Sequence, residues 1–241
     1  MGNNAYLCTE EFYANRHLLV KVGAVSSQSK CRFWVQLKNV RTMLEQLLNF
    51  KNTELSEHPL NKEFLRNKMA FDWYMKAAEL DDVYGCFNVG ECYYHGKGVE
   101  ADPVLAFEWY MKAADKGDMQ SQVNVANAYY LGNGVEMDHH KAFLWYREAA
   151  FQGHVLSQKN CGAAYWNGDG VEKNLEECVF WYELAVNGGD AQAQFVTGCF
   201  LMTGTGVPKD ERKGLKWIHK STFQGYQPAI DYCKEHNLKW Y

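Results

Sequence analysis

Residues 118–153 read DMQSQVNVANAYYLGNGVEMDHHKAFLWYREAAFQG, and the same pattern returns along the chain every 36 residues. The dipeptide Trp-Tyr keeps this register at Trp73, Trp109, Trp145 and Trp181, and Trp217 holds the fifth place. A second series, Gly-x-Gly-Val, begins with the same period at Gly96, Gly132, Gly168 and Gly204. A fixed period of this length is typical of a solenoid, in which each unit buries its apolar face only against its neighbours.

Each unit predicts two helices. In the first, Val125, Ala126 and Tyr129 follow helical spacing. The Gly132-Asn133-Gly134 segment then ends the helix, because glycine reaches the left-handed conformation of a helix C-cap without a Cβ penalty. The second helix carries small and aromatic residues at three- and four-residue spacings, namely Ala142, Trp145, Tyr146, Ala149 and Ala150. A side chain that can cap the second helix precedes it in each unit, at Asp102, Asp138, Asn174 and Asp210.

The combination of Trp-Tyr, Ala-Ala, glycine and Gly-x-Gly-Val at these spacings resembles the Sel1-like repeat, a relative of the tetratricopeptide repeat. The resemblance covers residues 66 to 232 and weakens in the last unit, where Ser221-Thr222 replaces Ala-Ala. Terminal units of solenoids are often atypical, since one face meets water. The resemblance implies an all-α fold, a right-handed α/α solenoid of helix-turn-helix repeats.

Three regions are predicted from the limits of the repeat. Residues 1–60 form a divergent N-terminal cap, in which 17–37 has the pattern of a β-hairpin and 39–51 that of a helix. An all-helical cap is the alternative. Residues 61–226 form the repeat solenoid, and residues 227–241 contribute a closing helix that starts near Pro228.

Composition narrows the class of protein. The 241 residues carry a formal net charge of -4, which argues against binding to duplex DNA or clamping to an acidic membrane. No apolar run approaches the length of a transmembrane helix, and no secretory signal pattern opens the chain. The eight cysteines occupy irregular repeat positions, and Cys92 takes the place of Ala128 and Ala164. We therefore predict reduced cysteines packed as small hydrophobes in a cytoplasmic protein.

The sequence contains no pattern for catalysis, a metal or a cofactor. The Gly-x-Gly segments follow helices rather than strands, so they indicate turns and not phosphate-binding loops. Cys92 with His95, and His139 with His140, lack the three or four convergent ligands of a zinc site. Carboxylates are scattered, and no nucleophile is paired with a histidine. We predict a protein that is not an enzyme and that binds no cofactor.

Candidate binding residues follow from the resemblance, because in the tetratricopeptide fold the first helix of each pair lines the concave face. Projected onto this chain, the lining residues most suited to contact a partner are Phe87, Glu91, Tyr94, Val123, Asn127, Tyr130, Lys159, Trp166, Phe195 and Met202. Aromatic residues interleaved with amides suit an extended or helical peptide. The alternative is that these aromatic rings pack against the adjacent helix.

The resemblance implies an adaptor or scaffold that binds another protein or a peptide on its concave face. An alternative is a bacterial immunity protein that neutralises a toxic enzyme by direct binding, with residues 1–60 as the inhibitory element. A third hypothesis is an enzyme, as has been suggested for cysteine-rich secreted relatives. The irregular placement of the cysteines in this chain argues against that third hypothesis.

Overall fold

The computed structural model describes residues 59–239. The contacts of the chain divide it between Arg66 and Asn67, within the first described helix, and the packing described below concerns the unit that begins at Asn67. The predicted hairpin at 17–37 and helix at 39–51 lie outside the described residues.

The described residues form ten helices and no strand, which confirms the predicted all-α solenoid. The helices are α1 (Pro59–Glu79), α2 (Val83–His95), α3 (Pro103–Ala114), α4 (Met119–Leu131), α5 (His139–Phe151), α6 (Val155–Asn167), α7 (Leu175–Asn187), α8 (Ala191–Thr203), α9 (Glu211–Phe223) and α10 (Gln227–Glu235). From α2 onward each helix packs chiefly against the helices before and after it, as expected of a linear stack of helix pairs. The closing helix α10 ends two residues before Asn237, which adopts a left-handed backbone.

Side-chain caps fix the starts of the helices. The four predicted caps of the second helices are confirmed, and Asp138, for example, accepts a hydrogen bond from the Lys141 backbone N–H at 2.9 Å. The first helices are capped as well, by Asp82, Asp118, His154 and Asp190. Each satisfies a backbone N–H that a helix start leaves without a partner.

Alanines form the largest group of buried apolar residues in the described core, and the tyrosines of three Trp-Tyr dipeptides pack beside them. Ala113, Ala149 and Ala185 are fully buried, and the tyrosines that follow Trp109, Trp145 and Trp181 are buried too. The tryptophans themselves are partly exposed, except Trp181 at 2%. Trp181 therefore fills the space between units, whereas Trp109 stays partly open, and the amino group of Lys112 lies 3.5 Å from the centre of its ring.

The cysteines behave as predicted in the described part of the chain. Six are described, all six are unpaired, and all but Cys199 are buried. Burial raises the pKa of the Cys161 thiol to about 12, so this thiol stays protonated at neutral pH. Such a group packs as a small apolar side chain.

His154 is the one histidine among the caps of the first helices. Its Nδ1 accepts a hydrogen bond from the Ser157 backbone N–H at 3.2 Å, which requires a neutral ring. Burial lowers the pKa of His154, in keeping with this role. In the preceding unit, Asp118 caps Ser121 in the same way at 2.7 Å.

We expect the wild-type protein to lose stability as the pH falls below about 6.5, because the unfolded chain then protonates His154 more readily than the folded chain does. In His154→Asp the cap stays ionised over this range. The advantage of the variant in free energy of unfolding should therefore be larger at pH 5.5 than at pH 7.5. Urea unfolding at both pH values measures this difference, and a difference that does not change with pH would contradict the assignment.

Candidate functional site

The first helices α2, α4, α6 and α8 present the residues predicted to bind a partner, and we call their shared surface the first-helix face. Tyr94, Tyr130 and Trp166 occupy equivalent positions in three successive units. They are 50%, 43% and 45% exposed. Leu131 beside them is exposed as well. The first-helix face therefore carries a row of open aromatic side chains, one in each of three successive units.

Three of the projected residues belong instead to the packing between helices. Val123 is only 6% exposed and lies in the core. The Phe87 ring is partly buried, and its centroid is 6.1 Å from that of Tyr110. Phe195 packs against Tyr226 and Tyr232 beside α10. Val123 thus lies in the core, and neighbouring helices partly cover Phe87 and Phe195, as the alternative expected; contact of these residues with a partner stays a prediction.

Of three further projected residues, one lies on the open surface and two contact neighbouring parts of the solenoid. Asn127 is exposed. Lys159 is mostly buried, and its amino group donates to Asp190 at 2.9 Å, which links two first helices. Met202 is half-buried against the cluster around α9 and α10.

The tyrosine of the Trp-Tyr dipeptide reaches the first-helix face, although it was not among the residues predicted to line that face. The Tyr110 hydroxyl donates to Glu91 Oε1 at 2.7 Å, and the Tyr146 hydroxyl donates to Asn127 Oδ1 at 2.6 Å. The Tyr110 ring lies on Gly90, where a Cβ atom would come within 2.7 Å of it. The sequence did contain a signal for these contacts. A phenylalanine would fill the same core, so a tyrosine at this position indicates a partner for its hydroxyl group.

These hydroxyl groups act as donors at neutral pH. Burial, and secondarily the Glu91 carboxylate, raises the pKa of Tyr110. Burial raises the pKa of Tyr146 to about 12. A protonated hydroxyl fixes the orientation of its acceptor, so the Nδ2 group of Asn127 remains a donor on the exposed surface.

Two cavities open next to these tyrosines, one unit apart. The first has a volume of about 180 Å³ and lies between α2, α3 and α4, with Glu91, Tyr94, Tyr110 and Asn124 in its lining. The second has a volume of about 200 Å³ and lies between α4, α5 and α6, with Tyr130, Tyr146, Asn160 and Asp169 in its lining. Asn124 and Asn160 are equivalent residues, so each cavity combines an aromatic ring, a phenol and an amide.

The chemistry of the face changes along the chain. The first three full units place Asn88, Asn124 and Asn160 at one position, whereas the fourth has Val196 there. The Glu91 position is held by Ala163 in the third unit and by Cys199 in the fourth. Trp166 stacks on Phe200 with centroids 5.5 Å apart. The face is therefore polar and aromatic toward α2 and predominantly apolar toward α8.

Between 59 and 239 we find no group of three or more His, Cys, Asp or Glu side chains placed to hold a metal ion. Across the same range, the helices lack the length and hydropathy needed to cross a bilayer.

Similar proteins were found by family model and by structure. The model of the Sel1 repeat matches residues 67–82, 83–118, 120–154, 155–190 and 191–226. A protective antigen of uropathogenic Escherichia coli with an SLR fold is 32% identical over 71% of this chain and 37% of its own, with a TM-score of 0.66. A Sel1 repeat protein from Oxalobacter formigenes is 30% identical over 70% of this chain and 49% of its own, with a TM-score of 0.63. No curated protein matches.

An immunity protein from Pseudomonas aeruginosa is 21% identical over 73% of this chain and 64% of its own, with a TM-score of 0.38, and carries no functional argument at that similarity. The chain spans less than half the length of the first two structures, so the activities of those whole proteins do not transfer to it. The assignment of the repeat, in contrast, does apply to this chain. Five consecutive matches cover most of the chain, and their register coincides with the helix pairs described above, so the chain belongs to the Sel1 repeat family.

Proposed function

We propose that this protein is a non-catalytic adaptor that binds an extended segment of a partner protein along the first-helix face. Sel1 repeat proteins generally act as protein-interaction scaffolds. The observation that supports the proposal most strongly is the row formed by Tyr94, Tyr130 and Trp166, which stay open although each lies beside a packed core. The proposal places the protein in the cytosol and assigns it neither nucleic acid nor membrane as a partner.

The first-helix face has the chemistry that such a segment requires. Large aromatic side chains with few rotatable bonds anchor a partner at low entropic cost, and they dominate the energy of many interfaces. The amide of Asn127 is held by Tyr146 and offers a donor to the backbone of an extended chain. Repetition with one period lets residues at regular intervals along the segment meet an aromatic side chain in successive units.

Changing Tyr94, Tyr130 and Trp166 together to alanine is expected to weaken partner binding by at least about 30-fold, the effect of losing a single hot-spot residue. A partner recovered by affinity purification of the wild-type chain would be purified and titrated by calorimetry against each variant. Circular dichroism would verify that the helical fold is retained.

The matched control changes three exposed apolar residues of the second helices, Val104, Phe180 and Phe223, to alanine. It removes comparable exposed surface from outside the first-helix face, so it should bind the partner as the wild type does. Undiminished binding by the first-helix variant, or equal weakening of both variants, would contradict the proposal.

A further inference from the structure

Glu91 stands out on the first-helix face because no other unit has a charged residue at its position. The equivalent residues are Asn127, Ala163 and Cys199. The carboxylate lies half-buried in the first cavity, between α2, α3 and α4. A charge in one unit of an otherwise repeated surface distinguishes that unit from its neighbours.

The carboxylate is oriented but not saturated. Its Oε1 accepts hydrogen bonds from the Tyr110 hydroxyl at 2.7 Å and from Asn124 Nδ2 at 3.3 Å. Its Oε2 lies 3.5 Å from His95 Nε2, which is within the range of an ion pair but longer than a normal hydrogen bond. Oε2 therefore keeps its capacity to accept hydrogen bonds from a donor that enters the cavity.

Aromatic rings border the same space. The Tyr94 and Tyr110 rings both line the cavity, with centroids 6.5 Å apart and planes inclined at 55°. Among the described residues that line this cavity there is no lysine or arginine. The combination of a carboxylate and ring faces attracts a cation, through a charge-assisted hydrogen bond and through the electron density of the rings.

We propose that the first cavity receives a basic side chain, arginine or lysine, from the partner segment. The inference rests on the proposed function and adds the chemistry of one partner residue. Because the face becomes more apolar toward α8, a basic residue at α2 would also fix the direction in which the segment lies.

The second cavity provides an internal comparison. It too contains a carboxylate, that of Asp169, but His139 Nδ1 already pairs with it. The Tyr130 ring stacks on the same histidine with centroids 4.9 Å apart. A basic side chain would have to displace this histidine, so we assign the basic residue to the first cavity.

The test uses small probes and the whole chain. N-acetyl-arginine amide and N-acetyl-lysine amide would be titrated against protein labelled for NMR. Their neutral counterparts are N-acetyl-citrulline amide and the same lysine compound acetylated at Nε. We expect at least one basic probe to shift the signals of Glu91, Tyr94 and Asn124 with a dissociation constant on the order of 1 mM, and the neutral counterparts to leave them unchanged.

Two variants complete the test, and each replaces one carboxylate by the corresponding neutral amide. Glu91→Gln preserves the side-chain shape and is expected to weaken binding of the probe at least about tenfold. Asp169→Asn should bind the probe like the wild type. The inference is wrong if neither basic probe shifts these signals, if the neutral probes shift them equally, or if Glu91→Gln binds as tightly as the wild type.

These results are separable from the proposed function. Loss of partner binding in the variant of Tyr94, Tyr130 and Trp166, together with unchanged partner binding in Glu91→Gln, would leave the adaptor function standing and remove the basic residue from it. Partner binding that survives the triple variant would remove the adaptor function itself.

Discussion

Trp181→Ala is expected to lower the free energy of unfolding by about 3–5 kcal/mol, a large part of the stability of a typical domain. The side chain is nearly fully buried in a cluster with Ala150 and Cys161. Its ring also contacts Phe151 and Phe180, with centroids 5.0 Å and 5.4 Å away. Truncation leaves a cavity between α5, α6 and α7 that the rigid helix pairs can fill only in part.

Trp109 is the matched control, since it holds the same repeat position but remains partly exposed under Lys112. Trp109→Ala should cost less, about 1–2 kcal/mol, because less of its surface leaves water on folding. Urea unfolding followed by circular dichroism measures both values. Equal losses would show that the repeat position, and not the degree of burial, determines the contribution.

Gly134→Ala is expected to destabilise the protein by more than about 3 kcal/mol. The residue has a φ of 76°, and a Cβ atom would overlap the backbone carbonyl of Pro103. This contact joins the turn of one unit to the start of the second helix in the preceding unit. Backbone cannot rotate away as a side chain can, so the two units must separate.

Gly117 is the control that separates the cost of backbone strain from the cost of overlap with a neighbouring unit. It also has a positive φ, of 88°, but nothing lies within 4 Å of the Cβ position. Gly117→Ala should therefore cost only the backbone strain, about 1–2 kcal/mol. Thermal unfolding of both variants measures the difference, and similar melting temperatures would contradict the importance of close contact at Gly134.

The helix pairs could be predicted because their signals are local and occur in several units. The turn glycines at Gly132 and Gly134 and the cap at Asp138 act within a few residues of the chain, and the structure confirms them. The caps of the first helices were missed although Asp118 and Asp190 directly follow the glycines that end the preceding helices. His154 gave no such signal, because histidine caps only when its ring is neutral.

The site could be predicted only in part. Helical spacing places Val123 and Tyr130 near the same side of α4, yet one is buried and the other open. The packing of the neighbouring helices decides which of them meets water, and that packing depends on contacts distant in sequence. The hydroxyl groups of Tyr110 and Tyr146 reach the face for the same reason, from second helices, whereas the predicted binding residues all came from first helices.

The central claim, that an extended partner segment lies along the first-helix face, is tested most directly by photo-crosslinking. A photoreactive phenylalanine would replace Tyr94, Tyr130 or Trp166 in turn, and Phe223 as the control, and the crosslinked partner peptides would be sequenced. We predict crosslinks from the first three positions, to partner residues that follow one another in order along a single segment, and none from Phe223. Crosslinks from Phe223 alone, or to scattered partner residues without order, would contradict it.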